Sequence, residues 1–211
     1  MKRLGLPGFT LAAILLALPA TGRAQGGVEW GVKGGLNVTG LRGADGLFDT
    51  KRGVVAGAYG VFDFAPEFGV EVDALFSMKG AKIQGVGIDA TGNFTGLYTQ
   101  GFYILDYLEL PILARFNPPA YGRVQPHLYA GPTVAFKVGA RALYGGSPAT
   151  DLDAVRTLDS GLAGGVSADV AVGTTTLVLD GRYNVGLTNA FNWSGPSFKN
   201  DGFSLMAGVS F

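Results

Sequence analysis

His127 is the only histidine in the chain, and a lone imidazole has to be weighed as a general base. Such a base needs a nucleophile or an acid within hydrogen-bond reach. No serine follows it at short spacing, and it falls near the start of a predicted strand, so it is read as structural. Asp151, Asp153 and Asp159 form a loose acidic group. Calcium loops place carboxylates at tighter alternating spacing around a required glycine, so this group is read as part of a solvated loop. The glycine-rich run at 161–165 lacks the Lys-Ser/Thr that follows a phosphate loop. Cysteine is absent, which excludes disulfides, thiol catalysis and thiolate metal sites. No catalytic, cofactor-binding or metal-binding residue is assigned, and a non-enzymatic protein is expected.

The remaining charges suggest a different chemistry. Lys33, Glu71, Asp73, Glu109, Arg115, Asp169, Asp180 and Arg182 all stand at mid-strand positions opposite an apolar parity. They are few and roughly matched in sign. That suits an enclosed polar network in which ions must pair, because an unpaired buried charge is expensive. The same residues could line a narrow conduction path. An eight-stranded barrel has an interior just wide enough for side chains to fill, which favours a structural network over a conduit.

Several elements must position these residues. Charged residues make up 15% of the chain against the roughly 25% of soluble proteins, and 35 of the 211 residues are glycine. With 14 Phe and 8 Tyr, this composition disfavours helices and favours closely approaching strands. Helical periodicity is nowhere evident. Period-2 alternation recurs over 28–38, 53–64, 67–79, 98–116, 123–138, 159–172, 174–188 and 202–211. Short connections at 65–66, 117–122 and 173–174 alternate with longer ones at 39–52, 80–97, 139–158 and 189–201. Short periplasmic turns alternating with longer outer loops are the rhythm of an outer-membrane barrel. The fold expected is therefore all-β, an eight-stranded antiparallel up-and-down transmembrane β-barrel. Pro111, Pro126 and Pro132 lie inside these strands and predict bulges or lumen-side water, since each lacks a ladder donor.

Alternation alone does not say which face is outside, because a soluble barrel also alternates. Trp30, Phe62, Phe64, Phe68, Phe116 and Phe211 decide it. They share the apolar parity and gather at the predicted periplasmic rim, where a membrane-interface girdle belongs. In the fifth strand Leu128 and Tyr129 compete for the lipid face. The last strand alternates from Phe203 to a terminal Phe211, a signature of export and of recognition by barrel-assembly machinery.

At the other end, Lys2 and Arg3 precede an apolar run from Phe9 to Ala20 and the small-residue segment Gly22-Arg23-Ala24. The run is shorter than the ~20 residues of a spanning helix. Residues 1–24 are read as a signal peptide cleaved after Ala24, with 25–211 as the outer-membrane domain. Net charge is zero, from 16 basic and 16 acidic residues, so no basic surface for nucleic acid is expected.

The segments GVKGGLN (31–37), LFSMKG (75–80), YLELPILARF (107–116), PHLYAGPTVAF (126–136), DSGLAGGVSADV (159–170), LDGRYNVGLTN (179–189) and FSLMAGVSF (203–211) cover most of the chain. In this order they resemble the PorT-like family of small outer-membrane β-barrel proteins. His127 stands where that family often has Tyr. The resemblance implies an eight-stranded barrel in the outer membrane and little about activity; one class of members is associated with a secretion system. The leading expectation is a barrel that presents surface loops, chiefly 80–97 and 139–158, to a protein or surface ligand. Its role would be adhesion, envelope integrity or accessory assembly. A narrow channel comes second, and a barrel enzyme acting on lipid A third.

Overall fold

The computed structural model describes residues 28–43, 48–88, 94–144, 149–192 and 196–211. The predicted signal peptide lies outside the described residues. Eight long strands and one two-residue strand follow in chain order: β1 (Val28–Arg42), β2 (Phe48–Ala65), β3 (Phe68–Ile88), β4 (Phe94–Phe116), β5 (Val124–Tyr144), β6 (Thr150–Asp151), β7 (Leu158–Val172), β8 (Thr175–Gly186) and β9 (Lys199–Ser210). Each long strand pairs antiparallel with its neighbours, β4 joins β5, and β1 pairs with both β2 and β9. The sheet is thus a closed eight-stranded antiparallel barrel with β6 hydrogen-bonded to the outer end of β5. Closure leaves no long strand edge, which is the condition for a sheet to cross lipid.

The β2–β3, β4–β5 and β7–β8 connections are short, as expected. Gly122 and Gly173 occupy two of them at φ +64° and +63°, a left-handed conformation that a side chain disfavours. The outer ends differ from expectation. Segments 39–52, 80–97 and 139–158 were expected to be loops, yet ladders run deep into each. The β3–β4 hairpin stays paired from Phe68↔Phe116 out to Ile88↔Phe94. A backbone that has left the bilayer still gains by internal pairing when its sequence keeps alternating, as it does through Ala81-Lys82-Ile83.

The bulges expected at the prolines are absent. Pro111 pairs with Thr133, Pro126 with Ala168 and Pro132 with Leu162, all without a register shift. The irregularities fall instead at Thr50/Val55, Asp63/Ala65, Val86/Ile88 and Asp106/Tyr107. A one-residue slip would turn every later side chain to the opposite face. Loss of one donor is the smaller cost where β4, β5 and β7 must keep their charges inside.

The parity of the strands separates two surfaces. Leu36 (64% exposed), Val72, Ile112, Leu128, Leu162, Leu179 and Leu205 point outward. Leu75, Leu113, Tyr129 and Val178 point inward with the charges. The fifth strand is thereby settled: Leu128 faces lipid and Tyr129 the lumen. His127, two residues before Tyr129, shares its parity and is buried.

Candidate functional site

The periplasmic half of the lumen holds a continuous ionic network. Lys33 on β1 extends Nζ to Glu71 Oε1 at 2.7 Å, Asp180 Oδ2 at 2.9 Å and Asp73 Oδ1 at 3.3 Å. Arg182 on β8 meets the same three carboxylates: Asp73 Oδ2 at 2.5 Å, Asp180 Oδ2 at 3.1 Å and Glu71 Oε1 at 3.3 Å. Arg182 is 1% exposed and the bulkiest of the fully buried side chains. Charges from β1, β3 and β8 converge because residues two apart on one strand share a face. This explains Glu71 beside Asp73 and Asp180 beside Arg182.

Two tyrosines complete the layer. Tyr129 donates from Oη to Asp180 Oδ1 at 2.5 Å, and Arg182 Nε donates to Tyr129 Oη at 3.4 Å. The guanidinium also lies 5.0 Å from the Tyr129 ring centre, and Lys33 Nζ lies 4.7 Å from that of Tyr59. Both rings sit over glycines of the adjacent strands. A Cβ on Gly31 would fall 2.6 Å from Tyr59 Oη, and one on Gly165 2.6 Å from Tyr129 Oη. Part of the glycine excess is thus room for lumen aromatics.

Toward the periplasmic rim, Arg115 reaches Glu71 Oε2 at 3.6 Å and Asp169 Oδ2 at 3.2 Å. His127 Nε2 lies 3.2 Å from the same Asp169 oxygen. Asn117 donates from Nδ2 to Asp63 Oδ1 and to the Pro66 carbonyl, which turns its Oδ1 toward His127 Nδ1 at 2.8 Å. The imidazole is therefore held between a carboxylate and an amide, with no serine or other nucleophile among its described partners.

Of the eight lumen residues read from the sequence, seven join this one network: Lys33, Glu71, Asp73, Arg115, Asp169, Asp180 and Arg182. Glu109 stands apart, paired with Lys79. Between the two groups lie Val55, Leu75 and Met206 and the Asn37–Ser77 hydrogen bond of 3.1 Å. The acidic group of the sequence reading is not a cluster. Asp151 and Asp153 are exposed, whereas Asp159 is buried on β7 and accepts from Asn200 Nδ2 at 2.7 Å and from Thr188. The parity of β7 turns Asp159 inward, out of the solvated loop expected for it. Among the described residues no group of three or more His, Asp or Glu could hold a metal.

Across the outer mouth lies apolar packing that sequence reasoning missed. Leu41, Leu105, Val155, Phe191 and Phe198 bury one another there, with Tyr103 and Leu152 packed against them. Residues 152–156 fold across the opening: Val155 bridges Phe191, Arg156 N donates to the Ala190 carbonyl at 2.9 Å, and Lys137 Nζ holds the Val155 carbonyl at 2.7 Å. Isolated phenylalanines in segments expected to be loops were the available signal. Below this cap, a cavity of about 10 Å³ between Lys79, Asp159, Asn184 and Asn200 is at the lower limit for one water.

At the opposite end, Phe62, Phe64, Phe68, Phe116 and Phe211 are exposed and Trp30 is half-buried. Trp30 packs on Phe211 with ring centres 4.8 Å apart, and Phe68 on Phe116 at 5.4 Å.

The family model described as "Outer membrane protein beta-barrel domain" matches residues 22–192. No curated protein matches the chain in sequence. Solved barrels resemble it at low identity. Ail, the attachment invasion locus protein of Yersinia pestis, is 16% identical, with 87% of this chain and 98% of Ail covered at a TM-score of 0.44. Neisserial surface protein A is 14% identical, with 87% and 97% covered at 0.47. OprG from Pseudomonas aeruginosa is 12% identical, with 87% and 95% covered at 0.48.

Proposed function

Since the chain belongs to the outer membrane protein beta-barrel domain family and lies in the outer membrane, we propose that it is a non-enzymatic, non-conducting barrel that acts through its outer surface. The filled lumen carries this reading. A solute entering from the periplasm meets Arg115, then the carboxylates shared by Lys33 and Arg182, then Leu75 and Met206, then the apolar cap. Opening such a path means breaking buried ion pairs, which is strongly unfavourable without replacement partners.

What remains for interaction is the outer end, above all the projecting β3–β4 hairpin. Segment 139–158 is a poorer contact surface than its length suggests, because Ala140, Ala142 and Val155 are buried. The role proposed is structural or interactive: adhesion, envelope integrity or accessory assembly. The ELP, YAGP and RYNxGL segments support a PorT-like placement within the family, and β9 with Phe211 is the proposed contact for barrel-assembly machinery. Residues 1–24 serve as the proposed export signal.

Planar-bilayer recording on the purified barrel tests the reading. Silent bilayers are expected, and steady unitary currents from the wild type would overturn it. His127→Ala is expected to leave cellular lipid A composition unchanged; an altered composition would restore an enzymatic role.

A further inference from the structure

The outward wall of β2, β1 and β9 carries three cations near its outer end: Arg52 opposite Val38, and Arg42 opposite Lys199 further out. A tilted strand crosses the hydrocarbon in about 9–11 residues. Counting about ten residues from the periplasmic aromatics Phe62, Trp30 and Phe211 reaches Arg52, Gly40 and Asp201 on the three neighbouring strands. Arg52 pairs with the outward Val38, and two residues beyond Gly40 and Asp201 the ladder places Arg42 opposite Lys199. The flanking residues Leu41, Lys51, Phe198 and Asn200 are buried, so alternation turns Arg42, Arg52 and Lys199 outward. Arg52 is exposed and the Arg42 side chain is 53% exposed. Asp201 offsets one charge, with Oδ2 at 3.3 Å from Arg42 Nε, and Arg42 Nη2 donates to the Gly186 carbonyl at 3.2 Å; against this one carboxylate, Arg42, Arg52 and Lys199 leave a cationic excess on the wall.

Below these cations the same three strands present a shallow, open dip lined by Val32, Gly34, Ala56, Ala207 and Val209. Leu36 and Leu205 project above it and Trp30 with Phe211 below. From Gly40 down to Gly34 is about 20 Å along a strand, which after tilting is near half of the ~30 Å hydrocarbon core. That is the reach of an acyl chain within one leaflet.

We propose that this wall binds an anionic, phosphate-bearing lipid of the outer leaflet. The phosphate is held by Arg42, Arg52 and Lys199, and an acyl chain lies over Leu36 and Leu205 into the depression. Arginine and lysine at the interface attract anionic headgroups, and a chain seated against Gly34 and Ala207 fills space that bulky neighbours leave open. This goes beyond the role proposed above, because it concerns the lipid-facing wall and holds whether or not the barrel conducts or has a protein partner.

The test is native mass spectrometry of the full barrel released from detergent with equal phosphatidylglycerol and phosphatidylcholine. The wild type is expected to retain the anionic lipid preferentially, and each of Arg42→Gln, Arg52→Gln and Lys199→Gln to lower that preference about fivefold at most. Arg123→Gln, at the periplasmic end, is the matched control and should leave it unchanged. Ala207→Leu, which only fills the depression, should reduce retention of lipid while keeping the headgroup preference. Equal retention of the two lipids by the wild type, or a preference that survives the triple substitution, overturns the phosphate site. Unchanged retention in Ala207→Leu overturns the acyl-chain seat. All five single variants and the triple variant are expected to keep the heat-modifiable gel mobility of a folded barrel.

Discussion

In the periplasmic half of the lumen, space between strands is filled by Lys33, Arg182, Arg115 and the carboxylates they share; at the outer mouth it is filled by Leu105, Val155, Phe191 and Phe198. The first section is encircled by lipid and the second by water. Where lipid surrounds the wall, an apolar side chain is as well accommodated outside as inside, so apolar packing alone does not say which parity turns inward. Charges do, because hydrocarbon rejects them. Above the bilayer, burial from water is worth about 25 cal/mol per Å² of apolar surface, and the mouth closes by the hydrophobic effect. The network also joins distant parts of the chain: Lys33 and Asp180 are 147 positions apart. The cap is built mainly from segments adjoining the outer ends of the strands.

The largest effect should come from removing a shared cation. Arg182→Met leaves Asp73, Asp180 and Glu71 short of a partner and should cost about 3–5 kcal/mol, read as urea unfolding of the barrel in lipid vesicles. Adding Asp73→Asn should recover part of that loss. A single substitution that leaves the unfolding midpoint unmoved would contradict the network's role.

Next comes Phe191→Ala, a buried large-to-small change at the cap, expected at up to about 3 kcal/mol. Its effect should be local. Amide hydrogens at 152–156 should exchange faster while β1 and β8 stay protected. Uniformly faster exchange would mean that cap and network are one cooperative unit, and the comparison would fail.

Tyr129→Phe removes the donor to Asp180 without removing volume and should cost about 1–3 kcal/mol. If it costs nothing, the phenol contributes only packing. Smallest is His127→Gln, which keeps a polar group between Asp169 and Asn117. A shift within about 1 kcal/mol is expected, in the same unfolding assay, and a larger loss would give the imidazole a role the glutamine cannot fill.

Much of this molecule is legible in one dimension. Glu71 and Asp73, or Asp180 and Arg182, announce the inward face by standing two apart among outward valines and leucines. Position 128/129 was ambiguous because Leu and Tyr both suit a membrane wall, and His127 breaks the tie only once its burial is known. The strand ends within 80–97 are not legible, because a paired hairpin in water and a loop share a polar, glycine-rich composition. The inward turn of Asp159 is hidden for the same reason. The cap has only isolated phenylalanines to announce it, because Val155 and Phe191 lie 36 positions apart with no periodicity connecting them.

The sequence by itself determined the class of protein: a closed barrel, its lipid-facing parity, and a set of charges that had to lie inside. These follow from alternation and from the cost of charge in hydrocarbon, both local in their logic. Only the tertiary structure decided which charges meet, that Glu109 pairs with Lys79 outside the main network, and that an apolar cluster gathers at the outer mouth. Those outcomes depend on the relative stagger of strands around a closed ring, where one residue of register exchanges the partners of every lumen side chain.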